Sequence, residues 1–199
     1  MVPRIVIVQG SMQQGSATEA LTRYVGSALE KQGAQVSYVD LRELKLPFFE
    51  EKSARSVAQY CAIAPLIEDA DGYVLGTPDY HGNPSGTLKN FLDYFWREFT
   101  GKLFGYLCVS HDKGTTAMDA LRIAVRQCYG WSLPYGVSAV ARADLDSAGA
   151  VRSDALRARL EMMASDMMRY GVLLGSERRR GLNESHPTFM AALRQLDAS

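Results

Sequence analysis

The sequence predicts an α/β protein in which a doubly wound parallel sheet of five strands lies between two layers of helices. Short apolar blocks rich in β-branched residues, the pattern of strands buried on both faces, alternate with amphipathic segments of helical period. The chain has 199 residues, 47% of them hydrophobic, which suits one domain with a single sizeable core. Strands that alternate with helices in one domain favour a parallel sheet with right-handed crossovers.

Each element is predicted from its period and from the residues that end it. The predicted strands span residues 5–8, 36–39, 73–76, 103–109 and 137–141. The predicted helices span about 20–33, 56–69, 85–98, 116–129 and 156–174. Gly33 is expected to end the first helix, and Pro65 to interrupt the second. Five such strands suit the flavodoxin-like order 2-1-3-4-5.

The C-terminal part of the chain changes character after Gly175. Before it, a methionine-rich stripe that includes Met163 and Met167 repeats at helical steps, which predicts packing against the sheet. We therefore expect a domain over residues 1–175 and a tail over 176–199, with a short apolar helix at 189–196. The arginine run at 178–180 is interpreted as a solvated turn.

Charge and cysteine content exclude several classes of protein. Lysine plus arginine and aspartate plus glutamate both number 22, so no net charge favours nucleic acid or an anionic membrane as a partner. The three cysteines (Cys61, Cys108 and Cys128) are too few and too far apart for a disulfide framework or a metal pattern. No apolar run approaches the roughly 20 residues of a membrane helix. We expect a reduced, soluble, cytoplasmic protein with Cys108 buried in a strand.

The loop at residues 10–18 follows the first predicted strand and leads into a helix. Unpaired N–H groups and the positive end of the helix dipole favour a phosphate there, and Ser11, Ser16 and Thr18 add hydroxyl donors. The alternative is that Ser16 only caps the helix. The loop has no lysine after its second glycine, so it is not a P-loop, and it lacks the G-x-G-x-x-G pattern of dinucleotide sites.

The segment at residues 76–94 joins a Gly- and Pro-rich loop to an amphipathic helix. Such a loop is stiff and presents bare main-chain N–H and C=O groups, which suits the polar edge of a flat heteroaromatic ligand. Its pattern of Pro78, Tyr80 and Gly86, followed by the residues 88–90 and Asp93, resembles the NADPH-dependent FMN reductase family.

The resemblance covers about residues 4–135 and is nearest to the chromate- and quinone-reducing branch of that family. The first loop keeps Gly10, Ser11, Gly15 and Ser16 of the family pattern G-S-x-R-x-G-S. Two departures stand out. Gln13 replaces the family's arginine, which exchanges a charged contact for a neutral one. The loop at 110–114 carries bulkier residues than the threonine and glycines of relatives.

The resemblance implies an FMN-dependent NAD(P)H oxidoreductase. Hydride would pass from NADH or NADPH to flavin N5 and on to a quinone, free flavin or similar acceptor in the same site, in a ping-pong course. The first loop would hold the phosphate, and the loops after the third and fourth strands would hold the ring. The implied FMN contacts are Ser11, Gln13, Ser16, Ala17, Thr18, Pro78, Asp79, Tyr80, His81, Gly82, Asn83, Ser110, His111, Asp112 and Gly114.

Two other chemistries are weighed for the polar residues at this edge. Asp79, His81, His111 and Asp112 suggest a metal site, but no pair has the spacing of metal ligands, so no metal is expected. His81 is a candidate proton donor to a reduced quinone. Two alternatives to an enzyme stay open, namely a flavodoxin-like electron carrier and a non-catalytic binding domain that kept the fold.

The predicted helix at 85–98 is unusually aromatic. It contains Phe91, Leu92, Tyr94, Phe95 and Trp96, more than one buried helix face holds. The helix is therefore expected to be buried on both sides, in the interface of a homodimer or of a tetramer built from dimers.

Overall fold

The computed structural model describes residues 2–111, 113–146, 148–184 and 189–190, and within them one parallel sheet. Its strands are β1 (Arg4–Gln9), β2 (Gln35–Asp40), β3 (Gly72–Pro78), β4 (Leu103–Val109), β5 (Trp131–Ser132) and β6 (Val137–Ala139). The sheet order is β2-β1-β3-β4, with β5 and β6 both paired in parallel with β4. The predicted order 2-1-3-4-5 is confirmed, and two short strands share the fifth position.

The helices of the described chain are α1 (Ala17–Lys31), α2 (Leu41–Leu44), α3 (Ala58–Asp69), α4 (Gly86–Tyr94), α5 (Thr115–Gln127), α6 (Ala141–Asp144) and α7 (Asp154–Gly181). Serine begins three of the longer ones. The side chains of Ser16, Ser85 and Ser153 each accept a hydrogen bond from the main-chain N–H three residues later. These caps satisfy one exposed donor in each first turn and so help to fix where the helices start.

The core lies on both faces of the sheet, because side chains along each buried strand alternate. In β1, Ile5 and Ile7 pack on the face covered by α1 and α7, whereas Val6 and Val8 pack on the opposite face. Met163 and Met167 of α7 are fully buried in the first of these layers. The prediction that the methionine stripe packs against the sheet is confirmed. Cys108 is buried in β4, also as predicted.

Some predicted elements differ from the structure in their bounds or their continuity. The strand predicted over 137–141 ends at Ala139, and an unpredicted two-residue strand, Trp131–Ser132, precedes it; Pro134, which has no N–H to give to the ladder, lies between the two. The predicted interruption of α3 at Pro65 is wrong, since the helix is continuous and buried Tyr60 and Ile67 anchor both of its halves. The helix predicted over 85–98 ends at Tyr94, and a short 3₁₀ turn follows at Arg97–Phe99.

The last helix continues past Gly175, and its arginines do not form a solvated turn. Arg179 pairs with the buried carboxylate of Asp71, and Arg178 donates through Nε to the Thr100 carbonyl at 3.0 Å. The interpretation of the run as a surface turn is wrong for these two residues, because a helix brings them back to the sheet. The boundary at 175 stays a prediction, and most of the predicted helix at 189–196 lies outside the described residues.

None of the helices in the described residues combines the length and the apolar character needed to cross a membrane.

Candidate functional site

The loops that follow β1, β3, β4 and β6 enclose a cavity of about 340 Å³ at the carboxyl edge of the sheet. This is the edge at which open α/β sheets bind ligands, and the volume is within the usual range of small-molecule sites. The cavity is lined by Ser11, Gln13, Gly15, Ser16, Ala17, Thr18, Pro78, Asp79, Tyr80, Val109, Ser110, His111, Val140, Ala141 and Arg142. The structure therefore brings together most of the residues predicted from the sequence.

The first loop is held from below by Gln9, a buried residue at the end of β1. The Gln9 amide donates to the Ser11 carbonyl at 3.0 Å and accepts the Ser11 main-chain N–H. Ser11 in turn accepts the N–H of Gln13 at 3.3 Å through its side chain. Two hydrogen bonds to one buried side chain fix the start of the loop before any ligand binds.

The N-terminus of α1 points unpaired donors into this cavity. The Ser16 hydroxyl oxygen accepts the Glu19 N–H at 3.1 Å, so Ser16 caps the helix and also lines the cavity. Among the described residues, the main-chain N–H groups of Ser16, Ala17 and Thr18 have no partner. Ser16 and Thr18 are themselves buried. Convergent N–H groups at the positive end of a 15-residue helix form a site for a phosphate.

Glu19 lies at the rim of the same loop and is neutralised there. Its carboxylate accepts the Gly15 N–H at 3.2 Å and pairs with Arg23 at 3.0 Å and Arg42 at 3.3 Å. Burial opposes ionisation of this carboxyl, but the hydrogen bonds from Arg23 and Gly15 and the charge of Arg42 outweigh it and lower its pKa. The negative charge of Glu19 is thus neutralised by Arg23 and Arg42, so it does not repel an anion bound in the cavity.

The loop after β3 closes into a tight turn at residues 80–83. His81 and Gly82 both have positive φ, at 57° and 78°, and Tyr80 and Asn83 exchange main-chain hydrogen bonds of 2.9 and 3.1 Å. The Gly82 N–H donates to Asp79 Oδ1 at 2.8 Å. Within this described turn, the His81 N–H is therefore the one main-chain donor left without a partner. The segment 78–83 was predicted to offer several main-chain N–H groups to the edge of a ring. In the turn at 80–83, only the N–H of His81 is available for this.

Asp79 braces two loops rather than facing the cavity with free oxygens. Its N–H donates to the Val109 carbonyl at 2.8 Å, which extends the pairing of β3 with β4. Its Oδ2 accepts the Ser110 hydroxyl at 2.9 Å, while Oδ1 holds the turn through Gly82. The carboxylate thus fixes the distance between the loops that would bound a flat ligand.

Not every predicted contact lines the cavity. His81, Gly82 and Asn83 lie in the adjoining turn, and Gly114 begins α5 with a φ of 57°. A Cβ at Gly114 would lie 2.6 Å from the Cys108 sulfur, so this glycine permits close packing of the loop on β4. Burial, reinforced by the charge of Asp79, raises the pKa of Cys108 to about 12 and keeps its thiol protonated. Asp112 lies outside the described residues.

Sequence reasoning missed the contribution of the segment after β6. Val140, Ala141 and Arg142 complete the wall of the cavity, and the Arg142 side chain is exposed at its rim. One signal for them was present. In a parallel sheet the fifth strand ends at the same edge as the first, third and fourth strands, so residues just beyond it lie at that edge too.

An apolar groove of about 460 Å³ adjoins the cavity and shares Tyr80 with it. Met12 and Phe48 also line it, and the exposed fractions of Met12, Phe48 and Tyr80 are 51%, 91% and 55%. Large apolar side chains that are exposed next to one another often mark a binding surface, whereas singly exposed ones do not.

Asn90 of α4 holds the segment that carries Phe48. Its Nδ2 donates to the Pro47 carbonyl at 2.7 Å, and its Oδ1 accepts the Phe49 N–H at 2.8 Å. The Tyr94 hydroxyl donates to the same carbonyl of Pro47 at 3.1 Å. The asparagine of the 88–90 motif, which sequence reasoning left without a role, positions an exposed aromatic residue.

The aromatic residues of α4 are buried within the protomer. Phe91, Leu92, Tyr94 and Phe95 are all in the core, because the chain turns after Tyr94 and directs Phe95 under the sheet. Trp96 alone of the five predicted interface residues is exposed, at 49%. The argument that these side chains need a subunit interface for their burial is therefore wrong, since one core cluster of the protomer holds four of the five.

In the described part of the chain no cluster of three His, Cys, Asp or Glu side chains could hold a metal ion. The cavity offers a helix N-terminus for an anion and is lined by two loops that Asp79 braces, and the turn that adjoins it has one main-chain N–H without a partner among the described residues. These features suit a planar ligand that carries a phosphate.

Comparison with known proteins shows which family this chain matches. The model of the NADPH-dependent FMN reductase family matches residues 3–144. The FMN-dependent NADPH-azoreductase of Staphylococcus saprophyticus is 30% identical over 136 residues, which cover 65% of this chain and 72% of that protein. The NADPH azoreductase of Bacillus sp. (strain OY1-2) is 29% identical over 135 residues, 66% and 73% of the two chains.

A solved structure shares the fold. The flavoenzyme NAD(P)H:(acceptor) oxidoreductase FerB of Paracoccus denitrificans superimposes with a TM-score of 0.73, covering 86% of this chain and 98% of that one at 16% identity.

Proposed function

Because the chain belongs to the NADPH-dependent FMN reductase family and is an FMN-dependent NAD(P)H oxidoreductase, we propose that its electron acceptor is a planar aromatic molecule. Quinones, azo compounds and free flavins belong to this class. The observation that carries the proposal is the apolar groove beside the cavity, whose wall includes Met12, Phe48 and Tyr80.

The described residues fit FMN. The unpaired N–H groups of Ser16, Ala17 and Thr18 would bind its phosphate, and the His81 N–H would donate to the polar edge of its ring. Asp79 and Ser110 would hold the two loops at the spacing the ring requires. When bound, FMN supplies a centre that accepts a hydride from NAD(P)H and gives it to a second substrate. The protein's own part is to bind, orient and exclude water.

The groove would receive the acceptor. It is open to solvent on one side and meets the cavity at Tyr80, so a flat molecule in it lies beside a ring in the cavity. Apolar walls without a fixed charge recognise shape and surface more than a particular substituent, which suits a class of acceptors. His81 lies in the turn between the two spaces, and its exposed imidazole is the candidate that delivers a proton to the reduced acceptor.

We also propose that the chain works as a homodimer, or a tetramer built from dimers, with α4 and the segment attached to it at the contact. Phe48, whose neighbours Pro47 and Phe49 are hydrogen-bonded to Asn90 of α4, and Trp96 just beyond the helix are both exposed. A second copy seated there would bury these side chains and close the groove. Sedimentation equilibrium tests this, and a species of 21.9 kDa at all micromolar concentrations would refute it.

The three cysteines of the chain are free thiols, and Cys61 is exposed. A reducing compartment preserves such thiols, so we propose that the protein is cytoplasmic. Fractionation of cells that express it at natural level, with the protein recovered outside the cytoplasm, would contradict this.

Steady-state kinetics with three acceptors tests the central proposal. Purified protein loaded with FMN should oxidise NADPH or NADH only slowly in air and rapidly with a quinone, an azo dye or free FMN. Parallel lines in double-reciprocal plots are expected, because both substrates use one site in turn. If reduced protein passed electrons only to a protein partner and to none of the small acceptors, the chain would be an electron carrier and the proposal would fail.

A further inference from the structure

Arg142 is the one residue with a permanent positive charge among the described residues that line the cavity, and no family motif quoted above includes it. It stands on α6, in the segment that follows β6, opposite the N-terminus of α1. Among the described residues, no hydrogen-bond or ion-pair partner is found for its guanidinium. A guanidinium and a cluster of unpaired N–H groups that line the same cavity form an arrangement that attracts an anion.

The main chain that carries Arg142 is braced, so the position of its side chain is not left to a loose loop. Arg152 donates to the carbonyls of Arg142 and Ala143, both at 2.8 Å. The Asp144 carboxylate accepts the Val140 N–H at 2.8 Å. These contacts fix the segment on both sides of residue 142, which reduces the entropy that a charged side chain would lose on binding a ligand.

Three carboxylates of the described part of the chain near the cavity are already engaged by other groups. Asp79 is engaged by Ser110 and Gly82, Glu19 by its two arginines, and Asp144 by the end of its own helix. The first loop, in turn, has no basic residue between Gly10 and Thr18, since glutamine occupies position 13. On the side of the first loop, the anion site thus has main-chain N–H donors but no positively charged side chain.

We propose that Arg142 binds the 5′-phosphate of FMN across the cavity and supplies the charged contact that Gln13 does not. The inference rests on the proposed function, because it takes FMN to be the ligand of the cavity. An arginine fork can give two parallel N–H···O bonds to a phosphate, which a neutral amide cannot match. The segment after β6 therefore takes part in binding the cofactor, in addition to the loops after β1, β3 and β4.

Titration of the flavin-free protein with FMN and with riboflavin tests this, followed by quenching of flavin fluorescence. Arg142→Gln should weaken FMN binding roughly 10- to 100-fold, the range expected for one charge-assisted contact, and leave riboflavin binding unchanged. Arg142→Lys should retain more of the FMN affinity than Arg142→Gln, because it keeps the charge. Gln13→Arg should restore FMN affinity in the Arg142→Gln background more than it raises it in the wild-type protein.

Arg126→Gln is the matched control, because Arg126 is an exposed arginine of α5 outside the cavity. If Arg142→Gln behaved like this control toward FMN, or weakened riboflavin by the same factor as FMN, the role of Arg142 at the phosphate would be overturned. A rise in the KM for NADPH with no change in FMN affinity would also overturn it and would assign Arg142 to the nucleotide. If the wild-type protein bound no FMN at all, the proposed function itself would fall.

Discussion

The Asp79 carboxylate accepts the Ser110 hydroxyl at 2.9 Å, and this contact joins the loops that follow two neighbouring strands. The other oxygen of the same carboxylate holds the Gly82 N–H at 2.8 Å. A single side chain thereby sets both the shape of the turn at 80–83 and its distance from the loop after β4. Most main-chain N–H groups of the turn are hydrogen-bonded within the turn or to Asp79. The conformation of the turn therefore does not depend on a ligand.

Asp79→Ala should weaken FMN binding about tenfold or more, because two hydrogen bonds to a charged group, each typically worth about 1.5–3 kcal/mol, are lost. Part of that loss is expected in stability rather than in binding, so both are measured, by flavin titration and by chemical unfolding. Asp119→Ala, which removes an exposed carboxylate of α5, is the control. Unchanged FMN affinity in Asp79→Ala would show that the loops keep their spacing without the brace.

Gly82→Val should damage turnover more than His81→Gln. Gly82 has a φ of 78°, where side chains are strained, and a Cβ there would lie 3.0 Å from Thr116 Oγ1. Valine would therefore displace the N–H that Asp79 holds and the neighbouring free N–H of His81. Glutamine at 81 keeps the main chain and removes only the imidazole.

Stopped-flow measurement of flavin reduction and reoxidation separates the two effects. A general acid typically contributes about 10²–10⁴-fold, so a loss of that size in the reoxidation of His81→Gln, with normal flavin content, would make His81 a true proton donor. If the reoxidation rate of His81→Gln fell by less than about tenfold, the main chain of the turn, and not the imidazole, would be what the reaction requires.

Asn90→Ala should raise the KM for a planar acceptor and leave FMN affinity as it is. Two hydrogen bonds that hold Pro47 and Phe49 are lost, each worth about 1 kcal/mol, and the segment that carries Phe48 becomes free to move. Lys89→Ala is the control, since it changes the exposed neighbour in the same helix. An unchanged KM in Asn90→Ala would mean that Phe48 does not belong to the acceptor's binding surface.

Lys102 should make the protein more stable as the pH rises above neutral. Its ammonium is buried at the end of α3, where it donates to the carbonyls of Ile67 and Glu68 at 2.7 and 2.5 Å. Burial, aided by the charge of Arg178, lowers its pKa to about 7. Between pH 7 and the ordinary pKa of lysine near 10.4, the unfolded chain holds a proton that the folded chain has released.

The unfolding free energy should therefore increase with pH over that interval, by at most about 1.4 kcal/mol per pH unit from this group. Urea unfolding at pH 7, 8 and 9 measures the slope. Lys102→Met should reduce it, whereas Lys31→Met, a change at the end of α1, should not. Identical slopes in the wild-type protein and in Lys102→Met would show that the buried ammonium keeps an ordinary pKa.

The sequence by itself determined the sheet, its strand order and the loops that meet at its carboxyl edge. Strands and helices of this kind are encoded by local periodicity and by glycine, proline and serine at their ends, so β4 was predicted with its observed bounds, Leu103–Val109. Most of the lining of the cavity followed, because the ends of parallel strands meet at one edge.

Only the tertiary structure decided which groups remain available at that edge. Asp79, predicted to contact FMN, lines the cavity and also joins two loops through its carboxylate oxygens. In the turn at 80–83, the main-chain N–H groups other than that of His81 already have partners. Arg142 lies at the rim of the cavity in a segment that the predicted site did not include, and Phe95 is buried in the core of the protomer. Hydrogen-bond partners and burial are chosen among groups far apart in the chain. Local sequence fixes where an element lies, whereas competition between distant partners fixes what its side chains are free to do.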